Sequence, residues 1–313
     1  MNIFLYCGFD NSKEWEISIK KVFKNEKIFL LNDKPNFNKI DCAIVWNIPN
    51  NILKKLVNLK VIFSLGAGVD HILKLSNYRN TPIIRVKDRS MAKRMSYHVL
   101  AQILEFQLNL KFFQKAQLIQ SWQENLQFQR QVKLNEQITV GILGVGFLGT
   151  RVGEFLKKLN YRVIGLKKNI TKKKISFRIF SKKNLDNFIK FCNIIVCILP
   201  ATNETNNFID KNFLHKMKKD SLLINVGRGQ SINESDLIAH LNKNKAFFVS
   251  LDVFKEEPLK KNNPLWKLKN VTITPHVASL TEVDVITAQM YIKFIKFKKN
   301  KKIQTNVDLQ KGY

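Results

Sequence analysis

Three residues in this chain pair a reactive type with a setting suited to chemistry: Arg228, Glu257 and His276. His276 follows Pro275 in VTITPHVAS, and proline pre-sets the backbone there for a turn. The other four histidines, His71, His98, His215 and His240, fall in segments with a helical period, where an imidazole usually packs rather than reacts. An imidazole titrates near neutrality, so His276 is the candidate for proton transfer. Nineteen residues earlier, LDVFKEEPL offers Glu257. A carboxylate beside an imidazole fixes its tautomer and favours the charged ring. Spacing alone does not say whether Glu256 or Glu257 takes that place, or whether both face water. Arg228 stands in NVGRGQSINESDL between Gly227 and Gly229, which clear space around it. A guanidinium held there can grip a carboxylate with two parallel hydrogen bonds.

A second chemistry lies in GILGVGFLGTRVG, from Gly141 to Gly153, which holds five of the twelve glycines. Gly144, Gly146 and Gly149 have the G-x-G-x-x-G spacing, between an apolar run, ITVGIL, and a helical one, FLGTRVGEFLKKL. In that context Gly144 permits a tight turn, Gly146 lets a pyrophosphate near the main chain, and Gly149 lets the helix sit close to the sheet. The first helical residues, Phe147 and Leu148, would offer N–H groups to the phosphates. A glycine-rich packing turn without a ligand satisfies the same spacing. NAD-preferring sites of this kind place an acid about 20 residues beyond the first glycine. Here the next strand, YRVIGL, ends in Lys167 and Lys168, and no acid occurs between Glu154 and Asp186. Two ammonium groups attract a 2′-phosphate, so NADPH is the expected cofactor and NADH remains possible.

The elements that must carry these residues read as strands alternating with helices. From the start come NIFLYC, SKEWEISIKKVF, IFLL, CAIVWN, NNILKKLV, KVIFSLG, VDHILKL and IIRV, then a long helix from about Met91 to Gln120. A second alternation begins at Ile138 and passes through YRVIGL, NIIVCIL, SLLINVG, AFFVSLDV and VTITPH. The expected fold is α/β, with two doubly wound parallel-sheet domains. In SLLINVG the strand delivers Arg228, and Asn233 is placed to cap the following helix with Asp236 at the capping-box position. Gly66 and Gly68, in SLGAGVDHI, mark another strand-end loop, and ligands in open α/β sheets bind at such ends. A last helix, about Glu282 to Lys298, follows the second alternation and is expected to pack on the first domain.

The composition narrows the class. A chain of 313 residues with 45% hydrophobic content has room for two packed domains. Cys7, Cys42, Cys192 and Cys197 show neither disulfide nor zinc spacing, so buried thiols and no metal are expected. No leader and no bilayer-length apolar run is seen, which suits a cytoplasmic protein without a membrane partner. The net charge of +29 raises the question of nucleic acid. The lysines are scattered along the chain, however, and asparagine outnumbers Asp and Glu together. That drift reads as a compositional bias, and no specific nucleic-acid face is expected. The basic tail KFIKFKKNKK reads as a solvated helix end.

The ordered motifs G-x-G-x-x-G, LPATNET, NVGRGQSINESDL, LDVFKEEPL and TPHVAS resemble the D-2-hydroxyacid dehydrogenase family across nearly the whole chain. SLGAGVDHI, Trp46 of VWNIP, the missing acid, PLW and the terminal KGY are similar to its glyoxylate/hydroxypyruvate reductase A branch. The resemblance implies a flavodoxin-like substrate domain, 1–97 plus 284–313, and a Rossmann cofactor domain, 98–283. It implies that His276 is the general acid, Glu257 its partner and Arg228 the anchor for a small 2-oxo acid. It further implies that Gly66, Ala67, Gly68 and Val69 hold the substrate carboxylate while Trp46 walls the pocket. Pro200 and Thr205 would lie along the cofactor, with Val226 close by and Asp252 near its carboxamide. A homodimer, with Trp122 near the subunit contact, is also implied. LKKN departs from the branch's usual Ser/Arg pattern and leaves the cofactor open. The other outcomes the sequence allows are another D-2-hydroxyacid dehydrogenase specificity, or a dinucleotide sensor on the same scaffold.

Overall fold

The apolar runs form strands where their residues are buried on both sheet faces, and the computed structural model shows two such sheets. It describes residues 1–8, 11–85, 88–122, 132–168, 175–300, 305, 307 and 308. The terminal KGY, the last two residues of the basic tail and most of the polar stretch after Trp122 lie outside the described residues. Contacts divide the chain into Met1–Ser90 with Thr281–Tyr313, and Met91–Leu280.

In the first unit, β1 (Asn2–Cys7), α1 (Ser12–Val22), β2 (Lys27–Phe29), β3 (Cys42–Trp46), α2 (Asn50–Lys55), β4 (Val61–Ser64), α3 (Asp70–Leu73) and β5 (Ile83–Arg85) alternate. The sheet is parallel, with order β2-β1-β3-β4-β5, which is the flavodoxin-like order. All four residues of β4 are buried, as a strand covered on both faces requires. IFLL makes a shorter strand than its composition suggests. Asp33 accepts a hydrogen bond from the Leu30 N–H at 2.7 Å and curls Leu31–Asp33 into a 3-10 turn.

The second unit begins in α4 (Arg89–Gln107) and continues with α5 (Leu110–Leu118). The long helix expected over this stretch is therefore broken. Asn109 adopts a left-handed backbone, φ 55°, which asparagine tolerates better than most residues. Next come β6 (Thr139–Leu143), α6 (Phe147–Lys158), β7 (Arg162–Leu166), β8 (Arg178–Phe180), α7 (Leu185–Phe191), β9 (Ile194–Cys197), α8 (Lys211–Lys216), β10 (Leu222–Asn225), α9 (Glu234–Lys243), β11 (Phe248–Leu251) and β12 (Val271–Ile273). The seven strands are parallel in the order β12-β11-β10-β9-β6-β7-β8. Counted from β6, the first six follow the Rossmann order 3-2-1-4-5-6, with a seventh at one edge. Sequence reading passes over β8, because three residues are too few to show a period. The order reverses between β6 and β9, which opens a crevice at their carboxyl ends.

The chain then returns to the first unit as α10 (Val283–Asn300). Phe294 is fully buried, its ring 5.2 Å from Phe23 and 6.4 Å from Phe63, and Asp284 accepts a hydrogen bond from Ser18 at 2.6 Å. Among the described residues, no helix is long and apolar enough to cross a membrane.

Candidate active site

The glycine turn sits at the carboxyl end of β6, beside the switch point. Gly144 has φ 102°, a conformation L side chains rarely adopt, and an added Cβ would lie 2.8 Å from the Ile198 carbonyl oxygen. A Cβ on Gly149 would overlap the Gly144 carbonyl. Packing therefore accounts for both of these glycines. Gly146 is different: it is exposed, and nothing lies within 4 Å of where its Cβ would stand. The space in front of it is open, as a cradle for a pyrophosphate requires. Gly146 caps α6 and brings no side chain to its first turn, so the N–H groups of the half-buried Phe147 and Leu148 face no capping oxygen from it. The residues present thus fit a dinucleotide.

The segment after β9 lies against this turn at Gly144, and the loop after β10 lies against that segment. In LPATNET the Thr205 hydroxyl donates to the Pro200 carbonyl at 2.6 Å and accepts from the Thr202 N–H at 2.9 Å, which folds the loop on itself. Gly227 abuts the same segment, its missing Cβ 2.7 Å from the Leu199 carbonyl oxygen. Val226, at the end of β10, is buried, and its N–H donates to Cys197.

Arg228 is held through its main chain. Its carbonyl accepts from the Ser231 hydroxyl at 2.6 Å and from the Asn225 side-chain amide at 3.1 Å, while the Asn225 oxygen accepts from the Gly227 N–H at 3.2 Å. Asn225 is fully buried, which makes this bracket rigid. Its guanidinium donates to the Gly227 carbonyl at 2.8 Å. Sequence reading missed Asn225 and Ser231; a polar residue closing an apolar strand was the available signal. Gly229 has a packing reason as well, since a Cβ there would overlap the Phe254 carbonyl group. The absence of that Cβ lets the Arg228 loop lie against the loop bearing Glu257.

Glu257, not Glu256, meets the histidine. His276 Nδ1 and Glu257 Oε2 are 2.8 Å apart, and the other carboxylate oxygen accepts from the Phe254 N–H at 2.9 Å. Glu256 pairs instead with Lys260. An ionised carboxylate only accepts, so Nδ1 carries the proton and Nε2 is left for chemistry. Burial opposes the charged carboxylate, but the His276 and Phe254 hydrogen bonds and the nearby Arg228 charge outweigh it and hold Glu257 below its ordinary range. His276 itself has φ 56°, and its N–H donates to the Asp252 carbonyl at 2.8 Å. The buried Asp252 carboxylate accepts from the Thr274 hydroxyl at 2.6 Å and from the Val277 and Ala278 N–H groups, each at 2.9 Å. Asp252 therefore ties down both sides of the histidine turn. Arg228, Glu257 and His276 come together at the carboxyl ends of β10, β11 and β12.

Toward the other edge of this sheet, one strand in from β8, Lys167 and Lys168 follow β7. Lys167 is half-buried, and its N–H donates to the Phe180 carbonyl at 3.0 Å. Lys168 is exposed and ion-paired with Glu204.

The remaining candidates lie in the first unit. Trp46 ends β3, and its ring lies where a Cβ on Gly66 would stand, which is why glycine is needed there. The same ring packs against His71, tilted by 49° with 4.3 Å between centroids. The Asn47 N–H donates to His71 Nδ1 at 3.1 Å. Nε2 is thereby the protonated nitrogen and donates to Ser64 at 3.2 Å, and the Ser64 hydroxyl passes on to the Gly68 carbonyl at 2.8 Å. The histidine thus shapes the Gly66–Val69 loop from beneath. Ala67 offers its carbonyl to Arg85 at 3.4 Å, and Val69 is buried.

The sheet order and the open glycine turn define a dinucleotide-binding α/β protein. The sequence pattern of the D-isomer specific 2-hydroxyacid dehydrogenase NAD binding domain matches residues 100–278. The chain belongs to the D-isomer specific 2-hydroxyacid dehydrogenase family. It is 29% identical over 323 residues to glyoxylate/hydroxypyruvate reductase A of Yersinia enterocolitica, covering 100% of both chains. Among solved structures it resembles the NADPH-dependent glyoxylate/hydroxypyruvate reductase of Sinorhizobium meliloti in complex with NADP and sulfate, at 28% identity and TM-score 0.91, covering 100% of this chain and 99% of that one. It is also similar to a probable 2-hydroxyacid dehydrogenase of Rhizobium etli in complex with NADP, HEPES and tartaric acid, at 30% identity and TM-score 0.88, with the same coverage.

Proposed function

We propose that the protein reduces small 2-oxo acids, glyoxylate to glycolate and hydroxypyruvate to D-glycerate, with NADPH preferred over NADH. The observation that carries this is the 2.8 Å pair of His276 and Glu257 beside Arg228, at the crevice of a dinucleotide-binding sheet. Bound NADPH would supply the hydride that reaches the carbonyl carbon. The protein's own groups do the rest. His276, oriented by Glu257, gives the Nε2 proton to the carbonyl oxygen, a contribution of about a hundredfold or more. Arg228 holds the substrate carboxylate and faces the charge that grows on the oxygen. The Gly66–Val69 main chain and Trp46 are proposed as substrate-binding groups, which makes the first unit the substrate domain.

The pyrophosphate is assigned to the Gly146 turn and the first N–H groups of α6. Pro200, Thr205 and Val226 line its path, and Asp252 acts by fixing the His276 turn. Lys167 and Lys168 are proposed to meet the 2′-phosphate, in line with the NADP and NADPH that the similar structures hold. A homodimer is proposed near Trp122, where Leu118, Ile119 and Trp122, at and just beyond the end of α5, are 84%, 74% and 86% accessible. Buried Cys42, Cys192 and Cys197 without disulfides suit a cytoplasmic location. Following absorbance of NADPH and NADH with glyoxylate and hydroxypyruvate tests the assignment. Oxidation of NADPH dependent on either acid is expected, and no turnover with any small 2-oxo acid would refute it.

A further inference from the structure

The sequence has no acid in the stretch after β7, yet a carboxylate reaches that place in space. Lys168 Nζ lies 2.5 and 2.7 Å from the two oxygens of Glu204, a residue thirty-six positions further on. Glu204 belongs to the LPATNET loop that Thr205 folds on itself, so its backbone is anchored. The two side chains are 62% and 60% exposed, which leaves them free to part. The hydrogen bond and charge of Lys168 hold Glu204 below the ordinary carboxylate range, so it is ionised at neutral pH.

We propose that Glu204 is a built-in counter-ion that competes with the dinucleotide 2′-phosphate for Lys168, and so limits discrimination between NADPH and NADH. The inference rests on the reading that this edge of the sheet receives the 2′-phosphate. An incoming phosphate dianion must displace one anion from Lys168 or sit beside it. Either way, binding gains only the difference between two ion pairs. A 2′-hydroxyl brings no charge, leaves the pair intact, and can itself donate to the Glu204 carboxylate. The protein would then keep a measurable affinity for NADH although two lysines follow β7. Exposed pairs of this kind contribute weakly, so the effect is a tuning of a few-fold rather than a switch.

Calorimetric titration of the full chain with 2′,5′-ADP and with 5′-AMP separates the two ligands without turnover. Glu204→Gln is expected to tighten 2′,5′-ADP about three- to fivefold and to steepen its salt dependence. The same change should leave 5′-AMP unchanged or slightly weaker. In a Lys168→Ala background the gain from Glu204→Gln should vanish, as coupling through that one cation requires. The proposal is overturned if Glu204→Gln leaves 2′,5′-ADP unchanged or weakens it, or if the full gain survives without Lys168. If Lys167→Ala and Lys168→Ala together leave 2′,5′-ADP binding untouched, the 2′-phosphate reading itself fails, a result distinct from failure of the counter-ion alone.

Discussion

At the scale of single residues, the site depends on which partners each group has already taken. Glu257 has given one oxygen to the Phe254 N–H and the other to His276. Glu257→Gln keeps the first bond and loses the charge that favours the imidazolium. A fall in kcat/KM of about ten- to a hundredfold is expected. The sign of the pH dependence follows from the lowered folded-state value. The ionised Glu257 contributes stability that is fully present above its unfolded value near 4.5 and is lost as pH falls through the folded one. Thermal melts of wild type and Glu257→Gln should therefore differ near neutrality and converge below pH 4.5; a difference that persisted into acid would count against the pairing. The thiols make a second case. Burial pushes Cys192 up to about 12 and also raises Cys42 and Cys197, and in the folded protein these three are expected to resist a thiol reagent that modifies them in denaturant. Rapid native labelling of any of the three would show that its site is not closed.

At the scale of elements, the glycines divide by what stands in front of them. Gly229→Ala drives a Cβ into the Phe254 main chain, and a loss of about 2 kcal/mol or more in unfolding free energy is expected, together with loss of activity as the Arg228 loop lifts. Gly146→Ala meets nothing in the protein. Its melting temperature should stay close to wild type while dinucleotide affinity falls, a split that a mere packing turn would not show. The strands and the glycine turn were legible because strands buried on both faces read as unbroken apolar runs, and because the fingerprint had a strand before it and a helix after it. What the sequence hid was tertiary or very short. Spacing alone could not select Glu257 over Glu256, which needs the β11 and β12 loops side by side, and Glu204 reaches Lys168 only through the fold. Three-residue β8 has no period, and the left-handed turn at Asn109 lies inside an otherwise helical pattern. Asp252 is expected beside the cofactor, and the sequence did not show that its carboxylate also holds the 274–278 turn.

At the scale of the whole molecule, the proposed assembly surface lies at the end of α5. Leu118→Asp is expected to shift the protein toward a monomer in sedimentation velocity, with each unit still folded by circular dichroism. Unchanged sedimentation would move the subunit contact elsewhere. The central claim is that His276 donates the proton while the dinucleotide binds through other residues. The most direct measurement pairs NADPH affinity, from fluorescence titration, with turnover of glyoxylate in His276→Ala. The expected result is an affinity within about twofold of wild type and a kcat lower by about a hundredfold or more. Turnover near the wild-type rate would contradict the claim.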